Sequence, residues 1–206
     1  MHQTRQAATT KLPIPRKGTT YVARASSHHR DAVPVVVAIR DMLHLATTAK
    51  EVRTMLRAGT IKVNGKPASD YRESIRLFNL LEAGKTYRLS LLPTGKFVFE
   101  ETTAKDGRLC KVVDKRLLKG DVVQLNLHDG SNVLTKDKIA TGDSVYLDDK
   151  GKVKKHLSLQ KGQSVFILSG RHQGKSGKVA EVHDGKLHIH YTGGDVLLQK
   201  SHVIAV

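Results

Sequence analysis

Apolar positions recur at helical spacing in two stretches of the first third of this chain, and at alternating spacing through most of its remainder. From Asp31, Pro34 can open a first helical turn, and Val36, Ile39 and Leu43 follow three and four apart, which predicts a helix to about His44. The run Val35-Val36-Val37 is β-branched and by propensity favours a strand, so both readings stand for this element. The next signal is cleaner. Thr48-Ala49-Lys50-Glu51 has the form of a capping box, Val52, Met55 and Leu56 make an apolar face, and Gly59 follows Ala58 as a stop. Ile61-Lys62-Val63 then alternates into Asn64-Gly65, a strong hairpin signal, with Lys66-Pro67-Ala68 beyond.

After Tyr71 the pattern becomes β-rich. Residues 86–92 and 96–100 flank Pro93-Thr94-Gly95, residues 122–127 precede the turn Asp129-Gly130, and Thr141-Gly142-Asp143 leads into Val145-Tyr146-Leu147. From Gly162, the stretch 165–168 and the residues Gly170, Gly174, Gly177 and Val179 read as two strands joined by a tight basic turn, and strands at 186–191 and 195–198 complete a small five-stranded barrel. The expected architecture is α+β and multi-domain. A basic N-terminal arm spans 1–30, a helix-hairpin module 31–82, a central β-rich domain 83–160 and a small barrel 161–206.

Charge narrows the function. Lys and Arg total 35 against 19 Asp and Glu, a net charge of +16, where solubility alone needs a magnitude of only about 2 to 8 for a small domain. Such a surface calls for a polyanion. Residues 1–30 hold Arg5, Lys11, Arg16, Lys17, Arg24 and Arg30 and no acid, with Pro13 and Pro15 placed where an amphipathic transit helix would run. No apolar run approaches the roughly 20 residues of a spanning helix, so no membrane partner is expected and the chain reads as soluble and intracellular. On the capped helix Lys50, Arg53 and Arg57 share a face distinct from the apolar one, and it leads into Lys62 and Lys66 on the hairpin.

Catalytic and metal chemistry finds no foothold in the pattern. Residues 170–176, Gly-Arg-His-Gln-Gly-Lys-Ser, are one residue short of a phosphate-binding P-loop and run into a strand where a helix should follow. His188 and His190 share a strand face without a third ligand, and Cys110, the single cysteine, suits a core position between Leu109 and Val112. With nine aromatics and no Trp, phosphate contacts should outweigh base stacking. No cofactor, metal or small-molecule substrate is expected.

Certain stretches resemble known proteins. Residues 49–53 through Gly59, then 61–66, are similar to the helix-hairpin RNA-binding module shared by a group of ribosomal proteins, RNA-modifying enzymes and some synthetases. Residues 12–17, 34–41, 109–113 and 124–130 together resemble the small-subunit ribosomal protein family S-four-e of archaea and eukaryotes, and residues 162–182 resemble its KOW motif, an SH3-like barrel. The resemblance implies a non-catalytic, cytoplasmic constituent of the ribosome, held against small-subunit ribosomal RNA and neighbouring ribosomal proteins. By the same resemblance, RNA is expected at Lys50, Arg53, Arg57, Lys62, Asn64 and Lys66 of the module, at Arg171, His172, Lys175 and Lys178 of the KOW turn, and at Arg16 and Lys17. An RNA-modifying enzyme or a KOW-bearing transcription factor could share parts of this pattern.

Overall fold

Residues 2–30, within the stretch 1–30 expected as an unpacked cationic arm, are folded. In the computed structural model, which describes residues 2–103, 107–183 and 185–206, β1 (His2–Thr4) pairs antiparallel with β2 (Tyr21–Ala23). The Arg5 guanidinium closes the intervening loop by donating to the carbonyls of Pro15 (2.6 Å) and Thr19 (2.8 Å) and to the Thr19 hydroxyl (2.9 Å). Leu12, 2% exposed, goes into the core, and the Phe97 N–H donates to the Lys11 carbonyl. A composition rich in charge, Thr and Pro signals disorder only if the chain finds no donors for its loop carbonyls. Here one planar guanidinium supplies three.

The chain divides into two compact units, residues 1–104 and 105–206. In the first, β3 (Ala32–Pro34) ends in the proline that precedes α1 (Val35–Val37), and α1 continues as a π-helical turn over Ala38–Met42. The helical reading of this segment therefore holds, with Pro34 on the strand side of the boundary. Val35 through Ile39 are buried, so packing overrides the strand propensity of the three valines. In α2 (Ala49–Arg57) the capping box is complete: the Glu51 N–H donates to the Thr48 hydroxyl, and the Glu51 carboxylate accepts from the Thr48 N–H. The Thr47 N–H, with the Thr48 and Thr47 hydroxyls, holds the Glu51 carboxyl below its usual range. A depressed carboxylate stabilises the folded state above its unfolded value, and that contribution is lost as pH falls through the folded one. Thr48→Ala is expected to cost about 1 kcal/mol through the lost cap, read by chemical denaturation, and most of that loss should persist in acid, because the Thr48 hydroxyl accepts from the uncharged Glu51 N–H.

β4 (Ile61–Val63) and β5 (Lys66–Pro67) form the expected hairpin around Asn64 and Gly65, both at positive φ (54° and 77°), as a two-residue turn of this hand requires. After β6 (Ser74–Arg76), which pairs with β3, come β7 (Leu80–Ala83), β8 (Lys85–Leu91) and β9 (Phe97–Glu101). They complete an antiparallel sheet of order β5-β4-β7-β8-β9. The expected boundary at 82/83 thus cuts through β7, and strands assigned to a central domain belong to the helix-hairpin sheet.

The second unit holds two five-stranded antiparallel sheets. β10 (Arg108–Leu117), β11 (Val123–Leu127), β12 (Asn132–Thr135), β13 (Ser144–Leu147) and β14 (Val153–Leu157) pair in the order β12-β11-β10-β13-β14 around a core of Cys110, Val112, Leu125, Leu127, Val145 and Leu147. Arg108 and Asp129 form an ion pair at 2.7 Å at its edge, with side chains 13% and 1% exposed. Burial drives the Asp129 carboxyl upward, but Arg108 and the Ser131 hydroxyl and N–H outweigh it and hold the group low. β15 (Ser164–Ile167), β16 (Ser176–His183), β17 (Lys186–Tyr191), β18 (Gly194–Gln199) and β19 (Val203–Ala205), with a 3-10 turn at Lys200–His202, pair in the order β18-β17-β16-β15-β19 over Val165, Val179, Leu187, Ile189 and Val203. The fold is mostly β with few helices, and among the described residues no helix is long and apolar enough to cross a membrane.

Candidate nucleic-acid interface

The capped helix sorts its residues by chemistry. Val52 and Leu56 are buried, while Lys50, Arg53 and Arg57 are on the solvent side of a two-and-a-half-turn rod. Arg53 is held further: its guanidinium carbon lies 4.6 Å from the centroid of the Tyr71 ring. On the neighbouring hairpin Lys66 is exposed. Lys62 is exposed too, but β4 and β7 pair it with Glu82, whose carboxylate is 3.8 Å from its ammonium. Lys62 must therefore share its charge with a carboxylate in any contact with phosphate. Asn64 has a folding task, since its Oδ1 accepts from the Leu80 N–H (3.0 Å) and its backbone N–H donates to the Leu80 carbonyl.

The second predicted cluster occupies the β15–β16 turn. The Gly174 N–H donates to Ile167, that of Gln173 to Gly170 and that of Lys175 to His172, so the amides a phosphate-binding loop would present are spent inside the turn, and the chain continues into β16. Tyr191, at the end of β17, organises this turn. Its hydroxyl is 3.2 Å from His172 Nδ1, and the Lys175 ammonium stands 4.8 Å from its ring centroid. Gly193 is where it is because of that ring: a Cβ there would come within 2.5 Å of Tyr191 Cε2. Arg171 and Lys178 are exposed, Lys178 on β16 opposite His190. In the N-terminal lobe Arg16 and Lys17 are exposed, and Arg16 shares with Arg5 and Lys96 a cleft of about 590 Å³.

The structure thus brings Lys50, Arg53, Arg57, Lys62, Asn64 and Lys66 together in one unit and Arg171, His172, Lys175 and Lys178 in one turn of the other. Tyr71, Tyr191 and Arg5 escaped the sequence reading. Tyr71 stands beside Arg72 and Tyr191 closes an alternating strand, but the cations they meet lie 18 and 16 residues away. Groups with chemistry to offer elsewhere are committed to the fold. Burial pushes the Cys110 thiol far up, away from any nucleophilic thiolate. His188 and His190 project from the same face of β17, and His190 is paired with Asp195. Among the described residues no three metal donors converge.

Comparison with known proteins agrees with this architecture. The model of Ribosomal family S4e matches residues 83–164, and that of the KOW motif matches residues 161–191. A relative from Archaeoglobus fulgidus, named small ribosomal subunit protein eS4, is 36% identical over 185 residues, spanning 87% of this chain and 79% of the relative. One of the same name from Methanocella arvoryzae is 34% identical over 189 residues, spanning 88% and 80%. The crystal structure of the 30S ribosomal protein S4e from Thermoplasma acidophilum is similar with a TM-score of 0.73 and 27% identity, over 85% of this chain and 95% of that one. Fold and likeness define a ribosomal protein and not an enzyme. The chain belongs to the ribosomal family S4e, the S-four-e family that its motifs resemble.

Proposed function

We propose that this chain is a structural constituent of the small ribosomal subunit in the cytoplasm, binding ribosomal RNA through its basic surfaces and contacting neighbouring ribosomal proteins. The module of α2 with the β4–β5 hairpin is one RNA-binding surface, and the C-terminal five strands act as an SH3-like KOW barrel whose β15–β16 turn is another. One observation carries this reading. Lys50, Arg53 and Arg57 are presented on the solvent side of a rigidly capped helix whose other face is core. A backbone-reading surface for RNA needs cations set at fixed positions more than it needs base-reading pockets.

The test is Arg53→Ala with Arg57→Ala, followed by filter binding to small-subunit ribosomal RNA across a salt series. The double variant is expected to bind more weakly and to flatten the salt slope by about two, one per lost phosphate contact. Thermal unfolding should stay near that of the wild type, because Val52 and Leu56 are untouched. Unchanged affinity and slope in a folded variant would remove RNA from this face.

A further inference from the structure

The cations of α2 are not equivalent. Of Lys50, Arg53 and Arg57, Arg53 stands over an aromatic ring, that of Tyr71, at 4.6 Å. The backbone that carries this ring is fixed by its surroundings. The Tyr71 carbonyl accepts from the Val36 N–H in the buried helix α1 (2.9 Å), and the Glu73 N–H closes a turn onto the Asp70 carbonyl (2.9 Å). On the other side of Tyr71 in the chain, Arg72 is gripped by Asp70, through its own N–H to Oδ1 (2.9 Å) and through Nη2 to Oδ2 (3.0 Å). The Arg72 guanidinium carbon also lies near the ring, at 5.5 Å. An exposed arginine samples many rotamers, and each one forgone on binding lowers affinity, so an arginine already laid against a ring binds with less ordering cost.

We propose that Tyr71 is a positioning residue of the RNA face, its ring holding the Arg53 guanidinium in the orientation that meets a phosphate. The inference rests on the RNA reading of α2. Tyr71 itself touches no RNA; it acts through Arg53. Its hydroxyl is dispensable, since the attraction is between the cation and the ring face.

Three variants decide it by filter binding to small-subunit ribosomal RNA over a salt series. Tyr71→Leu, which keeps every charge, is expected to weaken binding about two- to fivefold while leaving the salt slope unchanged. Tyr71→Phe restores wild-type affinity. In an Arg53→Ala background, Tyr71→Leu has no further effect, because Arg72 keeps its Asp70 partner. If Arg53→Ala weakens binding and flattens the slope while Tyr71→Leu binds like wild type, the positioning role is overturned and the RNA reading stands. If Arg53→Ala itself changes nothing, the RNA reading of this helix falls and the positioning role with it. Should Tyr71→Leu fail to fold, Tyr71→Met takes its place: a longer, flexible side chain that keeps the bulk and every charge and loses the ring face. Weaker binding at an unchanged slope then supports the proposal, and wild-type binding overturns it.

Discussion

Affinity of the intact chain for small-subunit ribosomal RNA is expected to fall by about three decades or more between 50 and 200 mM salt, for about 6 to 10 phosphate contacts. The size of the effect follows from where the charge sits. Thirty-five cationic side chains face nineteen acidic ones. Some cations are already taken: Lys62 is beside Glu82, Arg72 is bound to Asp70, Lys85 to Glu101 and Arg88 to Glu100. Of the residues expected to meet RNA, Lys50, Arg53, Arg57, Lys66, Arg171, Lys178, Arg16 and Lys17 are open to solvent, and these eight are within the range assumed. A slope close to zero in a filter-binding series would show that the basic surface faces water and not phosphate.

The parts of this fold and candidate interface that could be read from sequence are those written in local chemistry. Thr48 and Glu51 lie three residues apart and cap one another, and Asn64-Gly65 can take the two positive φ values at little steric cost. What escaped is what depends on distant partners. β10 runs ten residues through the middle of its sheet, yet a bulge after Val112 and the exposed stretch Val113 to Leu117, with Leu117 77% exposed, break the alternation that would announce it. The N-terminal lobe is ordered by Arg5 reaching Pro15 and Thr19 and by Leu12 in the core, and no short window of the sequence announces those pairings. The same holds for the tyrosines: nothing near Tyr71 in the chain says that Arg53 will lie over it.

Nor could the sequence reveal that the expected boundary at 160/161 is bridged by a buried lysine. Lys111, 5% exposed, donates from its ammonium to the carbonyls of Lys200 (2.5 Å), Ser201 (2.9 Å) and Val203 (2.6 Å), and Ser144, opposite it in the sheet, accepts from the Ala205 N–H. The β10 sheet and the C-terminal sheet are thereby joined within one unit. Lys111→Met fills a similar volume, removes a charge from an apolar setting and leaves three carbonyls without that donor. Losing a buried hydrogen-bond partner costs about 1–3 kcal/mol per group, which exceeds the relief of removing one charge that is already well bonded. The variant is therefore expected to lose about 2–4 kcal/mol at pH 7, read by chemical denaturation of the full chain. The pH dependence gives a second handle. Burial pushes the Lys111 ammonium down to about 8, from an ordinary lysine value of 10.5. Between those values the unfolded chain holds the extra proton, so wild-type stability rises with pH across that window. Lys111→Met lacks this rise, and its deficit should widen from pH 7.5 to 9.5. A variant equal to wild type at both pH values would mean that the three carbonyls find other donors and that Lys111 is not what joins the two sheets.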